Sequence, residues 1–129
     1  MSKRTIALTV VSVTALALLA LGSPALAKDG DVLVRGTCTG KSTSKLKLSA
    51  ENGRIEVEFE VDQNRNRVPW TVVLTRNGTR VARLTRVTRA PSGSFTVRRV
   101  IANPAGSDVV RATPRRAGET CSARATFRI

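Results

Sequence analysis

Histidine and tyrosine are both absent from the 129 residues, and three phenylalanines with one tryptophan make up the whole aromatic complement. Without histidine there is no Ser-His triad, no Cys-His dyad and no histidine metal site. A Ser-Lys pair is the one nucleophilic arrangement left open, and no motif selects a serine and a lysine for it. Cysteine occurs only twice, at Cys38 and Cys121, which excludes the close C-x-x-C spacing of redox and metal motifs. Acids are also scarce: 9 against 22 basic residues, for a net charge of +13. Such a charge attracts polyanions, whether nucleic acid, wall polymer or an acidic lipid surface. Most of the basic residues are arginine, whose guanidinium pairs with phosphate and carboxylate in bidentate geometry. The same abundance also fits the codon bias of a GC-rich genome.

The long apolar run from Ile6 to Leu21 follows Lys3 and Arg4 and precedes Pro24 and the small-residue site Ala25-Leu26-Ala27. These are the three parts of a secretory signal. Residues 1–27 are therefore expected to be cleaved, leaving residues 28–129 as a single soluble, exported domain. Thr9, Ser12 and Thr14 interrupt the run, which falls short of the roughly 20 residues that span a bilayer, and this argues against a retained anchor. In an exported chain Cys38 and Cys121 are expected to pair. Closing so long a loop restricts the unfolded chain by roughly 4 to 5 kcal/mol in the entropy model.

Periodicity is that of strands throughout, and no segment reads as an amphipathic helix. Asp31 to Cys38 alternates, with Val32, Val34, Gly36 and Cys38 on one face; Thr120 to Ile129 does the same, with Cys121, Ala123, Ala125, Phe127 and Ile129 inward. Both cysteines thus belong to inward rows of the first and last strands. Between them, Asn52-Gly53 is a two-residue hairpin turn. It pairs Glu51 with Arg54, Leu48 with Val57, Lys47 with Glu58, Leu46 with Phe59 and Lys45 with Glu60. Apolar pairs fall on one face and opposite charges on the other, each pair contributing roughly 0.2 to 1 kcal/mol. Glu56, Glu58 and Glu60 are accordingly structural charges rather than a catalytic carboxylate pair.

Asp62-Gln63-Asn64-Arg65-Asn66-Arg67 echoes a calcium loop but has Arg67 where glycine is needed and Val73 where the bidentate glutamate belongs. A plain polar connection is expected. Trp70, Val72 and Leu74 face inward, and a three-residue loop of Arg76, Asn77 and Gly78 would pair Val72 with Ala82 and Trp70 with Leu84. Asn77-Gly78-Thr79 matches a glycosylation sequon, which the turn explains without a glycan. Adjacent Arg98-Arg99 suggests a β-bulge, Asp108 to Thr113 a short strand and Pro114 to Glu119 a loop. The expected fold is an all-β, two-sheet antiparallel β-sandwich of about seven to eight strands.

Ser92-Gly93-Ser94-Phe95-Thr96-Val97, then Ala105-Gly106-Ser107-Asp108-Val109-Val110-Arg111-Ala112, then Gly118 to Phe127 resemble the C-terminal half of bacterial Ig-like or fibronectin-III-like modules. The likeness covers about a third of the chain. There is no tyrosine for a tyrosine corner, and Trp70 lies too far from Cys38 for the antibody-type spacing. The resemblance implies a sandwich with an extracellular accessory role and carries over no binding or catalytic residue.

These features lead to a small secreted, non-catalytic binding module whose basic surface meets an anionic extracellular polymer. The alternatives are a structural domain that docks on another protein through a sheet edge, or an inhibitor presenting a loop such as Asn103 to Asp108 or Pro114 to Glu119. No catalytic, cofactor or metal residue is expected. The expected anion-binding residues are Arg83, Arg89 and Arg98, on a shared outer surface, with Arg80 and Arg86 at the ends of an inward row.

Overall fold

The computed structural model describes residues 30–104 and 106–128, and the expected signal segment lies outside them. Nine strands follow one another: β1 (Val32–Arg35), β2 (Thr37–Cys38), β3 (Thr43–Glu51), β4 (Arg54–Asp62), β5 (Pro69–Arg76), β6 (Thr79–Val87), β7 (Ser94–Ile101), β8 (Ser107–Arg116) and β9 (Glu119–Arg128). They form two antiparallel sheets, ordered β1-β3-β4-β7 and β2-β9-β8-β5-β6, the sandwich that period-2 alternation demands. Among the described residues no helix is long and apolar enough to cross a membrane.

The inner rows meet in one core. Leu46, Leu48, Val57 and Phe59 come from one sheet, and Trp70, Val72, Leu74, Val110 and Phe127 from the other; all are buried. Each such side chain contributes about 1.5 to 3 kcal/mol when fully buried. The β3–β4 hairpin has the register expected from Asn52-Gly53, including Lys45 opposite Glu60 and Lys47 opposite Glu58. Cys38 stands opposite Cys121 across β2 and β9, and the two form a disulfide.

The first strand is not continuous. At Gly36 the chain leaves the four-stranded sheet as β1 and enters the five-stranded sheet as β2. Its N–H donates to the Ser44 carbonyl at 2.9 Å, and a Cβ there would strike the Ser44 side chain and the Ser122 backbone, one in each sheet. Only glycine lets the chain pass between them. This break accounts for the ninth strand.

The β5–β6 register also differs from expectation. Asn77 and Gly78 form a two-residue turn with φ of 49° and 82°, setting Arg76 opposite Thr79. A bulge near Val81 then shifts the register, so that Leu74 faces Ala82, Val72 faces Leu84 and Trp70 faces Arg86. The extra residue that keeps apolar side chains on one face therefore lies in the strand, where Val81 and Ala82 both pack on the core, rather than in the loop. The turn is held in place from β8: Asn77 N–H donates to the Val109 carbonyl and the Asn77 side-chain oxygen accepts from Val109 N–H, both at 2.8 Å. Asn77 Nδ2 donates to Asp108 at 3.1 Å, so the carboxamide of the sequon is occupied at both ends.

β7 runs without a bulge at Arg98-Arg99, pairing Glu58 with Arg98 and Val57 with Arg99 in unbroken register. Arg99 belongs to the inward row but sits on an edge strand, from which it reaches solvent. Pro114 is not in a loop: β8 continues through it to Arg116, and Pro114 is buried opposite Val72. Pairing with β9 lapses at Thr113 and Pro114, where proline has no N–H to give, and resumes with Arg115 opposite Thr120.

The connection from β4 to β5 is a structural loop. Asp62 Oδ1 accepts from Asn64 N–H at 3.0 Å and Gln63 Oε1 accepts from the buried Trp70 Nε1–H at 3.0 Å. A Cβ on Gly93 would fall on the Asn64–Arg65 backbone, so glycine there lets the Pro91-Ser92-Gly93 turn lie against this loop.

Candidate anion-binding face

Alternation along β5, β6, β8 and β9 sends Trp70, Val110, Ala112, Pro114, Cys121 and Phe127 inward and their sequence neighbours outward. The outward set is rich in arginine and threonine. Arg80 stands opposite Thr75, Thr75 opposite Arg111, and Arg111 opposite Arg124, so one row across four strands carries three arginines. The neighbouring row runs from Arg83 through Val73 to Thr113, and the next from Thr85 through Thr71 and Arg115 to Thr120. Arg128, opposite Ser107, ends the face. Strands lie about 4.8 Å apart and rows about 6.8 Å apart, which makes a regular, twisted array.

No carboxylate shares this face among the described residues. The acids of the five-stranded sheet are Asp108 and Glu119, and both lie in inward rows with 1% and 3% exposure. Arg80, Arg83, Arg111, Arg115, Arg124 and Arg128 accordingly make no ion pair and no side-chain hydrogen bond among the described residues. Like charges directly opposite each other, such as Arg111 and Arg124, weaken a sheet.

A groove of about 680 Å³ opens on the face, lined by Thr71, Val73, Thr113, Arg83, Arg115 and Arg116 among others. Arg116 is held rigidly at its end. Its guanidinium lies 5.6 Å from the Trp70 ring centroid, donates from Nη1 to the Ala117 carbonyl at 2.7 Å, and pairs with Glu119 at 3.1 Å. Glu119 also accepts from the Ser42 hydroxyl at 2.7 Å and the Ser42 N–H at 3.1 Å. Burial pushes the Glu119 carboxyl up, but the Ser42 hydroxyl, the Ser42 amide and Arg116 together outweigh it and hold the group below its ordinary range. Arg83 and Arg115 make no side-chain hydrogen bond among the described residues.

Of the expected anion-binding residues, only Arg83 belongs to this face. Arg98 projects from the four-stranded sheet and is paired with Glu56 at 2.7 Å, and Arg89 follows β6 in a turn bridged to Ser94. The shared surface expected for the three does not form, because β6 and β7 belong to different sheets. Arg80, expected inward, is turned outward by the bulge near Val81, whereas Arg86 does lie in the inward row, opposite Trp70. The local pattern ends the strand at Pro114 and so gives Arg115 no face; alternation carried through the proline puts Arg115 on the same face as Arg111, two rows away.

Donor atoms of Cys38, Cys121 and Glu119 lie within 4.8 Å of one another, but both sulfurs are consumed in the disulfide. The oxidised protein has only the Glu119 carboxylate there, already held by Ser42 and Arg116. Comparison of the chain with protein-family models, curated proteins and solved structures found no match.

Proposed function

We propose that the protein is a small secreted, non-catalytic binding module that meets an anionic extracellular polymer through the outer face of its five-stranded sheet. The observation that carries this reading is the segregation of charge: among the described residues, six arginines without a partner lie on a face without a carboxylate, two of them directly opposed. A face that repels itself gains from a polyanion that neutralises it. Arg86 and Arg99 sit in inward rows on the edge strands β6 and β7, a device that discourages strand addition and weighs against docking by a sheet edge. Pro114 to Glu119, considered as an inhibitor loop, is strand and tight turn.

Kinship with Ig-like or fibronectin-III-like modules belongs to the same proposal. The orders β9-β8-β5 and β3-β4-β7 support it, matching the G-F-C and A-B-E arrangements of such sandwiches; the short strands β1 and β2 are additional to it. Export is supported by the signal-like residues 1–27 and by the disulfide. The test is a salt titration of the oxidised mature chain with heparin, duplex DNA and acidic wall polymer. Binding that weakens steeply with salt is expected, by about 0.9 log units per log unit of salt for each DNA phosphate neutralised. No binding to any polyanion at low salt would overturn the reading.

A further inference from the structure

The groove between Arg83 and Arg115 differs from the rest of the face in geometry. The two arginines straddle β5, one on β6 and one on β8, with Thr71 and Thr113 between them, so donors from three strands border one depression. Resting on the polyanion reading above, we propose that this groove is the anchor of the face and that its ligand is a flexible phosphodiester chain without bases, of the polyol-phosphate type.

Three observations narrow the ligand. First, every aromatic side chain is buried: Trp70, Phe59, Phe95 and Phe127 all belong to the core, and there is no tyrosine. Trp70 borders the groove but is only 1% exposed, so the face offers no aromatic platform of the kind on which single-stranded nucleic acid binders stack bases. Second, the face is a five-stranded sheet about 19 Å across between its outer strands. That is too broad for the ~12 Å major groove, which takes a helix or a two-stranded ribbon, so a duplex would touch it along a single line. A slim chain can lie flat. Third, Arg83 and Arg115 border the groove from the two strands flanking β5, and Thr71 and Thr113 also line it, so donors reach it from more than one direction. A tetrahedral phosphodiester uses donors from all these directions, whereas a planar carboxylate is satisfied by one fork. The row of Arg80, Arg111 and Arg124, one step along the strands, meets the next charges of the same chain.

The experiment measures binding of the oxidised mature protein to a labelled glycerol-phosphate oligomer, a single-stranded DNA oligomer with the same number of phosphates and a polyuronate of equal charge, at one low ionic strength. The glycerol-phosphate oligomer should bind tightest. Arg83→Ala with Arg115→Ala should weaken it about tenfold or more, while Arg80→Ala with Arg124→Ala, which removes the same charge, should cost no more than about threefold. Arg83→Lys with Arg115→Lys keeps the charge and the fold but removes the forks, and should lose affinity with an unchanged salt slope. Equal losses from the two alanine pairs, full affinity in the lysine pair, or DNA or polyuronate binding as tightly would overturn the groove assignment while leaving polyanion binding intact. If none of the three polymers binds, it is the broader reading that fails.

Discussion

On the outer face of the four-stranded sheet Lys45 stands 3.5 Å from Glu60, Arg98 stands 2.7 Å from Glu56, and Glu58 lies opposite both Lys47 and Arg98. On the outer face of the five-stranded sheet Arg111 stands opposite Arg124, and no acid is present among the described residues. Both faces arise from the same alternation and carry abundant basic residues. In one, most charges face an opposite charge on a neighbouring strand, Arg35 beside Lys45 being an exception; in the other they remain unpaired among the described residues. Net charge alone does not distinguish the two, and pairing across strands does.

The largest expected effect concerns the edge of the cationic sheet. Replacing Cys38 and Cys121 together by serine removes a crosslink spanning 83 residues and should lower stability by about 4 kcal/mol in urea unfolding, less if the unfolded chain retains structure. Charge reversal sharpens the contrast between the faces next. Arg111→Glu with Arg124→Glu should weaken polyanion binding about 100-fold at low salt, whereas Lys47→Glu, which sets an acid opposite Glu58 and beside Asp31 on the other face, should leave binding within about threefold and lower stability instead. Equal binding losses from the two faces would break the comparison.

Glu119 connects the groove's end to the loop before β3. Its carboxyl is held below the ordinary range in the folded protein, so its contribution to stability is full above that range and is lost as pH falls through and below it. Glu119→Gln should cost about 2 kcal/mol at neutral pH, and the difference from the parent should shrink on acidification in denaturant titrations at successive pH values. The smallest effect is a gain: Arg111→Thr relieves a like-charge pair and should stabilise the fold by a few tenths of a kcal/mol at low salt, with the gain fading as salt rises.

Where one strand's pattern and one turn suffice, the sequence was enough to read the structure. Asn52-Gly53 placed every pair of the β3–β4 hairpin, and alternation placed Cys121 and Phe127 inward on β9. Local pattern does not suffice where a residue answers to a second strand. Asn77 is clamped to Val109 on β8, which makes its turn two residues long and moves the extra residue to Val81; nothing between Trp70 and Val87 reveals that clamp. Pro114 reads locally as a strand breaker, yet β8 continues between β5 and β9 because their pairing on either side outweighs one missing N–H. Gly36 looks like any residue of an alternating strand until both sheets close around it.

Period-2 patterning and turn chemistry act over a few residues, and they suffice for the all-β class, the inward rows of β3, β4 and β9, and the disulfide. Which arginines lie together depends on sheet order instead. The cationic face takes Arg80 and Arg83 from β6, Arg111 and Arg115 from β8 and Arg124 from β9, strands brought side by side by sheet order rather than by sequence. The same order turns Asp108 and Glu119 inward and gathers the glutamates of β4 on the opposite sheet. Charge is a property of composition, but an unpaired charge is a property of neighbours, and in a sandwich the neighbours come from across the chain.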